Sequence, residues 1–427
     1  MRDLENYSYQ NNLIIKQPEL STWLISINGK YQPHSVTLWG KLIKSRIYVK
    51  AIHLLGKKRY SEFPGDLNDL NNNNIINNNN EINNKEAIIL NAHSHWINKI
   101  LILKNQPKRN LISASADGLI ILYDEYPKYN PVLKMQLFGE SGVTNLTELK
   151  NGTIIACSFA AIKQIMILYD KVNNKYNYEV INYITICSTY VFKCVELFND
   201  DLLCITQQNS IIFLRKNQKD TNSLNIYNNK DIIELLKNEL CINILQLTNQ
   251  LFISCHITNP KYDLDEDKIS KKNINCIKFF DSDFNYIKKI SGIYSTKSQN
   301  NMLKINEKFV IIGVEVCSNE IDWNNKKGVA LINYNYLELV SFYEMDNQIS
   351  SMTFYENMLY FGDDKGFLVK YKLDEQEIIF QKIKRVHLYN ISTLVHDFIY
   401  DNENKNNIFI ILTGSNDQTI KILHDLD

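Results

Sequence analysis

From residue 87 onward, apolar and polar positions alternate over short runs that are separated by turn residues. The clearest stretch is residues 93–124, HSHWINKILILKNQPKRNLISASADGLIILYD. Ile97, Ile100 and Ile102 are apolar positions of one run; LISAS follows, then ADG, then IILYD. Period-two patterning on both sides of a tight turn predicts consecutive antiparallel strands, not a helix. Asp117-Gly118 marks the hairpin, because Gly accepts positive φ and Asp bonds to its own turn backbone.

The pattern recurs along the chain. Repeat 1 has strands near 97–103, 109–115 and 119–124 and an outer strand at 132–138. Repeat 2 reads VTNLTEL, GTIIACSF, QIMILYD and YNYEVINY. Repeat 3 reads YVFKCVEL, DLLCITQ and SIIFLRK, with a weak outer strand near 223–228. Repeat 4 reads CINILQL, QLFISCHI, NINCIKFFD and YIKKI; repeat 5 reads NMLKI, KFVIIGVEV, GVALINY and LELVSFY. Repeat 6 reads ISSMTFY, NMLYFGDD, GFLVKYKL and EIIFQKI. Repeat 7 reads ISTLVHDFIY, IFIILTGSND and TIKILHD, only three strands. Its fourth is expected from AIIL at 87–90, which closes a ring and removes a raw sheet edge. The expected fold is all-β: a seven-bladed propeller of four-stranded antiparallel blades over 87–427, roughly 49 residues per repeat.

Repeat 1 resembles a WD repeat and is similar to blades of heterotrimeric G-protein β subunits. In those blades a His, a Ser, an Asp and a Trp form a buried hydrogen-bonded tetrad. The matching positions are His93, Ser113, Asp117 and Tyr123, with Tyr in place of the Trp and Asp124 matching the family's next residue. Repeat 7 places Thr413 and Asp417 at the Ser and Asp positions, with His387 as the tetrad His and Leu423 at the Trp position. Repeat 6 matches in part through GDDKG, whereas repeats 3, 4 and 5 are assigned by pattern alone.

Residues 1–66 contain Trp23 and Trp39 and some alternation, and read as two to four short strands. The Asn-rich tract within 67–86 (NDLNNNNIINNNNEINN) has too little apolar content to build a core and is expected to be a disordered linker. The start, MRDLENYSYQNN, is polar where a signal peptide needs an apolar run. No apolar run approaches the roughly 20 residues that span a bilayer. The expected location is therefore the cytoplasm or the nucleus. Lys plus Arg equals Asp plus Glu at 47 each, which disfavours a general nucleic-acid binder or anionic-membrane binder. The eight cysteines, Cys157, Cys187, Cys194, Cys204, Cys241, Cys255, Cys276 and Cys317, form no CxxC pair. They read as buried thiols in a reducing compartment.

The loops carrying His93 and Asp117 should open on one face, which WD-repeat proteins commonly use to bind partners. Matching strand starts puts Trp96 and Asn98 there from repeat 1, Tyr190 and Phe192 from repeat 3, and Gln348 and Ser350 from repeat 6. Repeat 7 adds Asn390, Ser392 and Asn416. Insertions at 257–273 and 317–327 rise from the same face, and Trp323 is the expected anchor of a composite lip. DLDED lacks the spaced oxygens and Gly of a calcium loop, and His93-x-His95 lacks neighbouring ligands. Neither metal nor cofactor is therefore expected. No nucleophile-elbow, phosphate-loop, HExxH or kinase signature occurs. The resemblance implies a non-catalytic scaffold that binds other proteins, with no sign of a homo-oligomer. Two rivals are a peptide-tail reader with an aromatic cage of Trp96, Tyr190 and Phe192, and a hydrolase at the channel mouth.

Overall fold

The computed structural model describes residues 87–424 apart from 208–209, 217–226, 235–238, 259–275, 296–297, 317–325, 375–376, 402–405 and the single positions 92, 107, 126 and 299. It also describes five short strands before residue 36. The Asn-rich tract, most of both insertions, Trp323 and Cys317 lie outside the described residues. In the N-terminal unit, Ile14–Lys16 pairs antiparallel with Thr22–Leu24 and parallel with His34–Ser35, and Ser26–Ile27 pairs with Lys30–Tyr31.

The second unit is an all-β propeller of antiparallel blades, and it corrects the expected count: there are six blades, not seven. Repeats 2 and 3 form one seven-stranded sheet. A 22-residue strand, Lys175–Glu196, is the outer strand of one repeat and the inner strand of the next. It pairs with Phe159–Asp170 as far as Tyr190 and with Leu202–Thr206 from Val191 onward. The run YNYEVINYITICSTYVFKCVE contains no Gly, Pro or Asp to break it, and its β-branched and aromatic residues favour an extended chain. Repeats 1, 4 and 6 are four-stranded sheets. The repeat 5 sheet has five strands, because Ile293–Ser295 and Met302–Lys304 both pair with Phe309–Val316 and form an interrupted inner strand.

The last sheet joins Ile391–Asp401, Asn406–Ser415 and Ile420–His424 to Ile88–Leu90. The register is Ile420 with Leu90, Lys421 with Ile89 and Ile422 with Ile88. Residues upstream of the first repeat thus supply the outer strand of the last, as the three-stranded end of repeat 7 requires. The apolar faces of neighbouring sheets meet in separate cores. Between the last sheet and the first these are Ile410, Leu412, Ile420 and Ile422 against Ile97, Ile100, Ile121 and Tyr123. Each fully buried Ile or Leu stabilises the fold by about 1.5–3 kcal/mol. The packing leaves no room at Gly414: a Cβ there would sit 2.7 Å from Thr393 Cγ2 and 2.8 Å from Ile97 Cγ2.

A polar staple recurs on one rim. Glu148 accepts the Lys104 and Asn105 N–H groups at 2.9 and 2.8 Å, Glu196 accepts Lys150 N–H at 2.8 Å, and Gln246 accepts Phe198 N–H at 2.8 Å. Each acceptor lies at or within two residues of the end of an inner strand and caps the turn of the preceding repeat. The staple satisfies turn donors that would otherwise face a sheet end unpaired.

Candidate interaction face

The tetrad residues of repeat 1 meet as a directional chain. Asp117 accepts from His93 Nδ1 at 3.0 Å and from the backbone N–H of Ser94 and Leu119, both at 2.9 Å. An ionised carboxylate only accepts, so Nδ1 carries the proton and Nε2 is the acceptor, 2.7 Å from Ser113 Oγ. Ser113 Oγ in turn lies 3.2 Å from the Tyr123 hydroxyl, and the phenol supplies the donor that an indole N–H would. Burial lowers the His93 pKa and keeps the ring neutral, despite the pull of Asp117. Burial also pushes the Tyr123 phenol up to about 12. Burial would raise Asp117, but the Ser94 and Leu119 N–H groups and His93 hold it below the usual carboxylate range.

Repeat 7 repeats this chain without its last link. His387 Nδ1 is 2.9 Å from Asp417 Oδ2 and Nε2 is 2.7 Å from Thr413 Oγ1. Leu423 has no donor at the position of Tyr123. Repeat 6 has a variant: the buried turn carboxylate of Asp363 accepts Lys365 N–H at 2.9 Å, Phe367 N–H at 2.8 Å and the Asn347 amide at 2.7 Å. Burial still raises Asp363 to about 6.

Trp96, Tyr190, Gln348 and Asn390 occupy one equivalent position. Each carbonyl accepts a backbone N–H from the turn opposite: Ala116 at 2.9 Å, Gln207 at 2.9 Å, Asp364 at 2.9 Å and Asn416 at 3.1 Å. These contacts put the two loop sets on one face. Trp96 is 52% exposed and Tyr190 39% exposed, whereas Gln348 and Asn390 are half-buried. Sequence reasoning missed other apolar residues of this face. Phe159 is 47% exposed and packs edge-on against Tyr190 with ring centroids 5.2 Å apart. Leu388 and Tyr389 lie in the repeat 7 loop and are 53% and 62% exposed.

A second set of expected partner residues sits at β-bulges of the inner strands. Asn98, Phe192, Ser350 and Ser392 are each skipped in the pairing register of their inner strand, which makes each a β-bulge residue. A bulge re-aims its side chain, and here it turns toward the next inner strand. Asn98 donates to Val143 O at 2.8 Å, Ser350 Oγ lies 2.8 Å from Ile391 O, and Ser392 Oγ bonds Ile97 O. Phe192 packs on Leu240, Ile242 and Ile257. These residues latch the ring together, and Ser350 is only 5% exposed.

Repeat 4 holds a network with no sequence signature. Ser254 Oγ is 2.6 Å from His256 Nε2, and His256 Nδ1 is 2.6 Å from Glu239 Oε1, which also pairs with Lys278. Burial lowers the His256 pKa, with Glu239 opposing. Burial would raise Glu239, but His256 and Lys278 hold it at about 2. The order Ser–His–Glu imitates a hydrolase relay. Ser254 and His256 are 0% exposed and Glu239 1%, so the hydroxyl meets no substrate, and the network ties strands as the tetrads do.

The opposite face carries a pocket of about 230 Å³ between repeats 3 and 4, lined by Phe198, Phe213, Arg215, Gln246 and Phe252 among others. It falls below the usual 300–1,000 Å³ of ligand pockets. Among the described residues, no group of three His, Cys, Asp or Glu side chains is placed to hold a metal. Among the described residues, too, no helix is long and apolar enough to cross a membrane.

Solved structures carry this architecture. The WD40 β-propeller domain of Doa1 superposes with a TM-score of 0.52 at 11% identity, over 80% of this chain and 97% of that one. The fold is a β-propeller, similar to that WD40 domain. A chain of a mitotic checkpoint complex superposes with a TM-score of 0.53 at 9% identity, over 83% of this chain and 100% of that one. No protein-family model and no curated protein sequence matches the chain.

Proposed function

We propose that this protein is a non-catalytic interaction scaffold of the cytoplasm or nucleus, which binds protein partners on the face that carries the His93–Asp117 and His387–Asp417 loops. The supporting observation is the set of exposed aromatic side chains there: Trp96, Phe159, Tyr190 and Tyr389. Large rings that keep one face wet bury much area at low entropy cost, and such residues anchor protein interfaces. The tetrads and latches beneath them give these loops a rigid base, so little ordering entropy remains to be lost on binding. One of the matched folds comes from a multiprotein checkpoint complex, in keeping with this reading.

Co-purification tests it. The tagged protein from its own cells is compared with Trp96→Ala/Tyr389→Ala and with Tyr336→Ala, which is 70% exposed in a turn outside this face. A stoichiometric partner lost only in the first variant supports the scaffold. A partner retained by that variant and lost in Tyr336→Ala refutes the assigned face.

A further inference from the structure

Each inner strand that carries a bulge places a polar residue immediately after it. The register puts Lys99 after Asn98, Lys193 after Phe192, Asn243 after Ile242, Ser351 after Ser350 and Thr393 after Ser392. The inner strands contact one another in a closed cycle, so these residues form a collar around the axis. Lys99 reaches across that axis. Its Nζ donates at 2.7 Å to Asn300 Oδ1, and Asn300 belongs to the interrupted strand of repeat 5, not to a neighbouring blade. Asn300 is itself held by an amide hydrogen bond to Ser392 O at 2.8 Å. From another side Lys193 Nζ donates at 2.9 Å to Asn243 Oδ1, and the Asn243 amide lies 3.2 Å from Asn301 Oδ1. Lys99 thus ends on Asn300, Lys193 is linked through Asn243 to the adjacent Asn301, and no collar residue named here is acidic.

We propose that Lys99 and Lys193 form an anion-binding site in the central channel, and that it takes a compact phosphate-type oxyanion. An ammonium has three donors, and Lys99 spends one on Asn300. A phosphate carries about −1.5 to −2 charges and three strong acceptors, which matches two cations on inner strands one strand apart. Enclosing like charges in a low-dielectric channel costs free energy that either deprotonation or a bound anion relieves. Burial lowers Lys99 to about 7, with the Lys193 charge adding to the effect, and lowers Lys193 to about 8. The titratable groups acting on the pair are the Lys193 ammonium on Lys99 and the Cys241 and Cys255 thiols on Lys193. Anion binding therefore draws protons onto the lysines near neutral pH. This site does not depend on the partner-binding face, because it is measured with the isolated full chain.

Calorimetry with inorganic phosphate tests it at constant ionic strength in chloride, in two buffers of different ionisation enthalpy. The full chain should bind one phosphate and take up protons as it does so. Lys99→Met and Lys193→Met should each weaken binding at least tenfold, Lys99→Arg should retain it, and Lys171→Met in an exposed turn should leave it unchanged. Should Lys99→Met fail to fold, Lys99→Gln keeps a donor for Asn300 and removes the charge. Displacement by a phosphoserine peptide assigns the anion to a protein partner, and phosphate binding without displacement assigns it to a small molecule. Equal binding by wild type and the Lys99→Met/Lys193→Met double variant, or no binding by wild type, overturns the proposal.

Discussion

Asp417→Ala probes the last tetrad and, through it, ring closure. The side chain is 9% exposed and accepts four bonds: His387 Nδ1 at 2.9 Å, Leu388 N–H at 3.2 Å, Thr419 N–H at 3.1 Å and Thr419 Oγ1 at 2.6 Å. The His387 bond, to an ionised acceptor, contributes about 1.5–3 kcal/mol, and losing it leaves the buried ring donor only the longer contact to Thr419 Oγ1 at 3.2 Å. The two backbone caps add about 1 kcal/mol together, since water reaches the Leu388 loop and replaces part of what is lost. The total is about 3 kcal/mol, or a drop of the unfolding midpoint on the order of 5 °C for a chain of this size. Asp417→Asn keeps an acceptor and loses the charge, so about half the effect is expected. Hydrogen exchange should locate the loss: amides of Ile420–His424 and Ile88–Leu90 should exchange faster, while those of Leu111–Ser115 keep their protection. A variant within about 0.5 kcal/mol of wild type, or uniform loss of protection, would refute the reasoning.

Other consequences follow from the same contacts. Asp363 has its folded pKa raised to about 6 by burial, above its unfolded value. Its contribution to stability is complete below about pH 4 and disappears as pH rises through 6. Asp363→Asn should stabilise the protein at pH 7.5 by at most roughly 3 kcal/mol and change nothing at pH 4; a destabilised variant at pH 7.5 in urea titrations would contradict this. Burial lowers the pKa of His93, His256 and His387. Protonation then favours the unfolded chain, and the unfolding midpoint should fall as pH drops below about 6.5. Gly414→Val should cost about 2–4 kcal/mol by overpacking between the first and last sheets, read as a lowered midpoint. Deleting residues 1–91 removes Ile88–Leu90 and should yield an insoluble or molten chain by light scattering and near-UV circular dichroism, whereas deleting 1–66 should be tolerated. A 1–91 deletion that folds normally would show that this strand does not close the ring.

Strands were legible in the sequence because period-two alternation reports a half-buried sheet directly. Asp117-Gly118 and the three-stranded end of repeat 7 carried the hairpin and the closing strand. Blade number was not legible from the repeats. The strand Lys175–Glu196 has no breaker at the boundary between repeats 2 and 3, so the chain passes from one sheet position to the next without a turn. The roles of Asn98, Phe192, Ser350 and Ser392 were hidden for another reason. A bulge is a property of pairing with a second strand, and the residue's own sequence does not announce it. The polar residue that follows each bulge was a usable signal, as was the acidic or amide residue of TELKNG, VELFND and LQLTNQ that staples adjacent turns. Glu239, Ser254, His256 and Lys278 stand on three different strands at spacings unlike those of repeat 1, which concealed their network.

The central claim is that the protein works by holding partners on one face. Site-specific photo-crosslinking in its own cells tests this most directly, with the photoreactive residue placed in turn at positions 96, 389 and 336. The account predicts discrete crosslinked proteins from 96 and 389 and none from 336. Crosslinks from 336 alone, or none from any of the three, would contradict it.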